Sequence, residues 1–257
     1  MAPRRPAPPP ERMRADRDRP VKVLRPGTVA YRTAWDWQRE LVARRQRSAG
    51  DDVLVLLQHP RVYTLGRRAD RDHVLFDDAE LNARGIELVD VDRGGDVTYH
   101  GPGQLVGYPI LRLAGVHGVV DYVRALEEVL IRTLASFGIV AGRSAGFTGV
   151  WVGDEKVAAI GVRVSAGGVT SHGFALNVDS DLDDFAGIVP CGITDRGVCS
   201  MASLGVSTTV EEVATAAARA AGEVFAATLE PADVEDLGLV APATGGGAQP
   251  AARPASA

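Results

Sequence analysis

The chain has 257 residues, 46% of them hydrophobic, with 33 acidic and 28 basic side chains and only two cysteines, a length and composition that permit one substantial core. Six of the basic and three of the acidic residues lie in the first twenty, leaving 22 basic against 30 acidic in the remainder; this balance opposes a nucleic-acid function, which carries a basic footprint. Two cysteines make no disulfide framework, and no apolar run reaches the roughly 18 residues of a membrane span. The expectation is a protein of the reducing cytoplasm with no membrane partner.

Residues 1–20 hold six prolines and no aliphatic run, and are expected to form a disordered Pro/Arg-rich tail, with Met13 as an alternative start. They lack the apolar centre of a secretory signal. The Ala/Gly/Pro-rich stretch 241–257 is expected to be a second disordered tail, leaving one domain over 21–240.

Thr33 with Asp36 reads as a capping box for a helix in which Ala34, Trp37, Leu41 and Val42 recur at helical spacing until Gly50. Residues 53–57 form a wholly apolar run, a buried strand, which delivers residues 58–60 and 63–67 into a loop. Residues 86–91 alternate like a strand and 104–113 read as its return. In the next segment Val123, Leu126, Leu130, Leu134 and Phe137 share one face of a helix over 120–137, ended by Gly138. Residues 148–152 and 157–164 form a hairpin about Gly153 and Asp154, 169–178 add a strand, and a last helix is expected over 209–229. Mixed strands with interspersed helices predict an α/β (α+β) domain, a mixed β-sheet flanked by helices.

Between two of these strands lies the string Arg93-Gly94-Gly95-Asp96-Val97-Thr98-Tyr99-His100-Gly101-Pro102-Gly103-Gln104. Its four glycines let backbone N–H groups approach a ligand closely, and Arg93 and His100 bracket the resulting wall. Either half alone is an ordinary turn. Two further features bear chemistry. Cys191 lies between Pro190 and Gly192, outside any helical pattern, with Cys199 as competitor; a thiol becomes reactive where a neighbour lowers its pKa and is inert when buried. The Cys-x7-Cys spacing and the lack of a third cysteine argue against a metal site. Lys156 is one of only two lysines among the 28 basic residues; unlike arginine, a desolvated lysine loses its proton and acts as a base, while a lysine beside a hairpin turn also simply reaches water.

The joined string, extended through Gly107 and Tyr108, resembles the signature of the lipoyl(octanoyl) transferases of lipoate biosynthesis. The resemblance spans residues 53–204, and includes Lys156 with Ala159-Ile160-Gly161, the segment Ser171 to Asn177, and Pro190-Cys191-Gly192. It implies the biotin/lipoate protein ligase catalytic fold and a catalytic dyad of Cys191 and Lys156. It further implies acyl-substrate binding by Arg93, Gly94, Gly95, Asp96, Val97, Thr98, Tyr99 and His100, by Ala159, Ile160 and Gly161, and by Gly173, Phe174 and Ala175, with His172 in support and neither metal nor cofactor. The implied reaction moves an octanoyl group from octanoyl-acyl carrier protein through an acyl-cysteine thioester. The implied acceptors are the lysines of lipoyl domains in 2-oxoacid dehydrogenase complexes and of the glycine cleavage H protein. An ATP-dependent ligase, a non-catalytic acyl-carrier or lipoyl-domain binding module, and a cysteine hydrolase using His172 or His100 stand as alternatives. Arg61, Arg67, Arg68 and Arg71 cluster beside the expected pocket loop, a landing patch for an acidic carrier or simply a solvated loop.

Overall fold

The computed structural model describes residues 13–114, 118–189 and 196–241. In chain order the elements are β1 (Val21–Leu24), α1 (Tyr31–Gln46), β2 (Asp52–Leu57), β3 (Val62–Leu65), α2 (Asp78–Arg84), β4 (Glu87–Asp90) and β5 (Val97–His100). They continue with β6 (Gln104–Ile110), α3 (Val119–Ala135), β7 (Val150–Val152), β8 (Glu155–Val164), β9 (Thr170–Asn177), α4 (Val210–Val224) and β10 (Leu229–Ala232). A seven-stranded mixed sheet has the order β10-β1-β2-β6-β9-β8-β7, and a three-stranded sheet has the order β4-β3-β5. The first three strands of the large sheet run parallel and the remainder antiparallel.

Helices cover both faces of the large sheet, which is why β2 is apolar throughout. Its Val53, Val55 and Leu57 meet Ala34, Trp37 and Leu41 of α1. Leu54 and Leu56 point the other way, into a core with Tyr122, Leu126 and Leu130 of α3. There α4 presents Ala214, Ala217, Ala218 and Ala221, small side chains that let the helix lie close against its neighbours. Among the described residues no helix is long and apolar enough to cross a membrane.

Several expectations are corrected. Residues 13–20 are not a free tail: Met13 and Arg14 are buried, Ala114 N donates to the Met13 carbonyl, and Arg14 Nε donates to Asp52 Oδ2 at 2.8 Å. Asp52 also accepts from Arg45 Nε at 2.7 Å, so an arginine of the segment completes a buried charge cluster that composition alone does not reveal. Helix α1 starts at Tyr31 with Ala30 as its cap and no side-chain cap, displacing the Thr33 box. Residues 63–65, placed in a loop from sequence, belong to β3. The last helix stops at Val224: Ala226 takes φ 47°, a left-handed turn that frees the chain to form β10.

Candidate active site

The two sheets meet at a cavity of about 440 Å³, within the roughly 300–1,000 Å³ range of small-molecule sites. Strands β8 and β9 form one wall, with Ala159, Ile160 and Gly161 in register with Ala175, Phe174 and Gly173. All six line the cavity, as do Arg93 to Thr98 and His100 of the glycine string. A side chain at Gly173 would overlap the Gly107 carbonyl, and one at Gly66 would overlap that of Gly95; these backbones pass too closely for any Cβ. From Lys156 to Gly161 the wall runs five residues, about 17 Å at the usual strand rise.

The glycine string is held by buried and half-buried polar contacts. Arg93 donates from Nη2 to the Thr64 carbonyl at 2.6 Å and from Nη1 to the Gly94 carbonyl at 3.1 Å, tying the turn to β3. Asp96 accepts from Val97 N at 2.7 Å and sits 2.6 Å from His73 Nδ1. The His73 carbonyl in turn accepts from Val189 N, so the string is linked to the chain that approaches residue 190. Tyr99 departs from its expected role: it is absent from the cavity lining and packs with Tyr63 beneath it. Strand alternation turns it to the opposite side from Thr98 and His100, where its hydroxyl donates to Asp184 at 2.8 Å.

Three histidines are buried at or below the cavity floor. His59 donates from Nδ1 to the Val29 carbonyl and accepts at Nε2 from the Tyr108 hydroxyl, 2.7 Å away; burial pushes its imidazole down to about 4. Burial, and then the neighbouring His59, hold His100 well below the ordinary histidine range. Its Nδ1 donates to Gln104 Oε1 at 2.8 Å, and its ring stacks on Tyr31. His172 lines the cavity at φ 56°, which takes its ring out of step with Phe174 and brings it near Trp35 and Tyr108. Its Nε2 lies 2.8 Å from Asp92 Oδ1. Burial lowers the His172 pKa against the pull of Asp92, while the bond to His172 brings Asp92 down to about 2.

At the other end, Lys156 is 8% exposed, lines the cavity and carries its Nζ 4.9 Å above the centre of the Trp151 ring. Its backbone is clasped by the segment that follows residue 195: Lys156 N donates to the Gly197 carbonyl, and Cys199 N to the Lys156 carbonyl. Gln104 Nε2 donates to Asn177 Oδ1, and Asn177 Nδ2 to the Cys199 carbonyl. A buried amide chain therefore connects His100 to this clasp. Cys199 is 1% exposed in the core, and burial, with a smaller contribution from Glu155, pushes its thiol up to about 11. It is a packing residue and a poor nucleophile. Pro190, Cys191 and Gly192 lie outside the described residues.

Residues that the sequence did not point to complete the cavity: Tyr31, Val119, Val123 and Phe147. Tyr31 falls three residues before Ala34 on the buried stripe of α1, a signal hidden by placing the helix start too late. Asp184 was also missed. It accepts from Arg61 Nε at 2.7 Å and from Tyr99, and its carbonyl accepts from the Tyr63 hydroxyl. It thereby anchors the 3-10 turn at Leu182–Gly187 to the small sheet. Arg61 of the basic cluster is thus engaged with an acid, whereas Arg67, Arg68 and Arg71 are exposed.

This architecture, a mixed sheet flanked by helices, is that of the lipoate-ligase catalytic domains. A bi-partite lipoate protein ligase from Thermoplasma acidophilum superimposes with a TM-score of 0.69 at 19% identity, over 83% of this chain and 87% of its own. Lipoate-protein ligase A bound with ATP gives 0.66 at 17% identity, over 83% and 88%. Residues 30–222 match the model of the lipoyl protein ligase A/B catalytic domain. An octanoyltransferase of Chloroflexus aurantiacus is 57% identical over 80% of this chain and 93% of its own length. One of Gloeobacter violaceus is 53% identical over 86% and 97%. The chain belongs to the octanoyltransferases of the lipoyl protein ligase A/B catalytic-domain family.

Proposed function

We propose that this acyltransferase takes its octanoyl group from octanoyl-acyl carrier protein and delivers it to the lysine of lipoyl domains through a thioester on Cys191. The acceptors are those of 2-oxoacid dehydrogenase complexes and the glycine cleavage H protein, in the cytoplasm. The observation that carries this reading is the meeting, in one cavity, of the glycine string, the paired strand segments 159–161 and 173–175, and Lys156. The clasp that pairs Lys156 with Gly197 begins six residues after Cys191, which supports a thiol and an amine working together. The core position of Cys199 supports Cys191 as the nucleophile.

Isolated Cys and Lys titrate near 8.5 and 10.4, so neither is poised at neutral pH alone; brought together they titrate as a unit. The Cys191 thiol gives its proton to the Lys156 amine, and the thiolate attacks the carbonyl carbon of the donor thioester. As the new C–S bond forms, the bond to the carrier's sulfur breaks, and that sulfur leaves with the proton from Lys156. The acceptor lysine then attacks acyl-Cys191; its N–C bond forms as the C–S bond breaks. The proton shed by the acceptor nitrogen passes through Lys156 to the departing sulfur, restoring the thiol. One thioester is consumed and one amide made, so the transfer needs no nucleotide. The Arg93 to His100 string, whose Asp96 and Arg93 are engaged with protein groups, serves the acyl chain through its backbone and shape.

The test is turnover of octanoyl carrier protein and a purified lipoyl domain by the full chain without ATP, read as octanoyl-lysine by mass. Transfer without ATP is the expected result. A strict ATP requirement would make the chain a ligase, and binding without transfer would make it a carrier-binding module.

A further inference from the structure

Trp151 and Lys156 face each other across the β7–β8 hairpin as register partners, with the indole 4% exposed. The ring that carries the Lys156 ammonium at 4.9 Å also carries a second cation. The Arg196 guanidinium carbon lies 5.3 Å from the same ring centre and 4.7 Å from that of Phe147, whose ring is tilted against Trp151 at 5.8 Å. Packing the hairpin requires the area of an indole but not two charges on it. We propose that Trp151 and Arg196 are positioning residues for the Lys156 amine: the indole face holds the ammonium at the cavity, and the guanidinium limits how firmly that ammonium keeps its proton.

The two contacts oppose each other. A desolvated ammonium is favoured over an indole face. A second cation on the same ring, necessarily within about 10 Å and hence about a Debye length, disfavours it, as does burial. Among the described residues, the other charged groups near Lys156 leave these two contacts opposed: Arg93 and Asp96, which share its cavity, are engaged with Thr64 and His73. Asp154 is 89% exposed and 3.5 Å from Arg196, where water screens it. Glu155 directs its carboxylate toward Gly197 and Cys199. Glu127 of α3 reaches Gly149, beside the lysine stem, but is paired with Arg124 and Arg143. From β5, β6, β9 and the Leu182–Gly187 turn come Thr98, Gln104, Asn177 and Phe185, all uncharged. An amine that must accept and release a proton within each turnover is thus held by an attraction and trimmed by a repulsion. This inference rests on the proton-cycling role given to Lys156 above.

The chain holds only two lysines, and Lys22 is paired with Glu230 at the surface, far along the sheet from the hairpin. Lysine labelled with 13C at Cε in the full-length protein therefore gives two signals, and an NMR titration of a Cys191→Ser background reads the Lys156 midpoint free of coupling to Cys191. Trp151→Leu is expected to lower that midpoint by about 0.5–1 pH unit, with Trp151→Phe shifting it less. Arg196→Gln is expected to raise it, and the Lys22 signal should stay in place throughout. Since Trp151 is buried, Arg196→Gln also serves as the variant that leaves the hairpin core intact. Midpoints unmoved in both Trp151→Leu and Arg196→Gln, or moved in the same direction, overturn the proposal, even if melting temperatures fall. A fall in Trp151→Leu together with a rise in Arg196→Gln supports it, and the reverse pair overturns it. If the supporting shifts appear while the pH dependence of Cys191 acylation does not follow them, the placement stands and the dyad reading fails.

Discussion

The seven-stranded sheet and the three-stranded sheet of this molecule are held by different forces. In the large sheet, β2 buries Val53 to Leu57 between α1 on one face and α3 with α4 on the other. The small sheet has an apolar cluster of its own, with Tyr63, Leu81, Ile86 and Val97, but adds buried and half-buried polar contacts: Arg93 to Thr64, Tyr99 and Arg61 to Asp184, His73 to Asp96. Apolar burial is non-directional and supplies stability, whereas a hydrogen bond to a buried group fixes an atom in place. The cavity lies where the two meet, with a robust frame on one side and a precisely tethered wall on the other.

The largest expected effect lies at that junction. Lys156→Ala should slow transfer about 10²–10⁴-fold, and Lys156→Arg should be nearly as damaging, because a guanidinium keeps its charge but does not cycle a proton. Steady-state rates across pH measure this; an arginine variant with most of its activity would reduce Lys156 to a fixed charge. Deep in the frame, Leu126→Ala should cost about 2–5 kcal/mol in urea unfolding while the rate per folded molecule stays close to wild type. Asp184→Asn should cost less, about 1–3 kcal/mol, yet lower the rate per folded molecule more than Leu126→Ala does. If loss of rate simply tracked loss of stability in both, the distinction between frame and wall would fall.

Acid should attack the region around the wall first. His59 is neutral in the folded protein down to about 4 but protonates near 6.5 when unfolded. The unfolded state therefore binds the extra proton in this window, and stability falls as pH drops from 6.5 toward 4, by about 3 kcal/mol for this group. His100 and His172, lowered for the same reason, act in the same direction. Melting temperatures across that window check the sign; a curve flat from 7 to 4.5 would contradict it. The smallest effect belongs to the exposed rim. Reversing Arg67 and Arg68 to Glu should slow carrier association roughly tenfold at low salt, a difference that shrinks as ions screen it over about 10 Å. Identical salt slopes in stopped-flow traces would remove the arginines from docking.

What the sequence disclosed follows the same division. The frame was legible because burial writes periodicity: β2 as an apolar run, α3 as a stripe through Leu126, Leu130 and Leu134, β7 and β8 around Gly153. Segments 159–161 and 173–175 were legible as motif pieces, and β8–β9 register explains why they share one wall of the cavity. The tethers of the wall were not legible. Asp184 lies 85 residues from Tyr99 and 123 from Arg61, and a contact between such distant residues leaves no local pattern. β3 is four residues with two polar-tipped side chains, and the buried Thr64 is partnered by Arg93, 29 residues away. The start of α1 and the buried Arg14 were missed likewise, since their partners, Asp52 and the sheet, are supplied by tertiary structure.

The account turns on which sulfur carries the acyl group. Intact-mass analysis of the full chain after incubation with octanoyl carrier protein, without acceptor, should show one added octanoyl group in the wild type and in Cys199→Ser, and none in Cys191→Ser. An adduct that persists in Cys191→Ser and disappears in Cys199→Ser would contradict it.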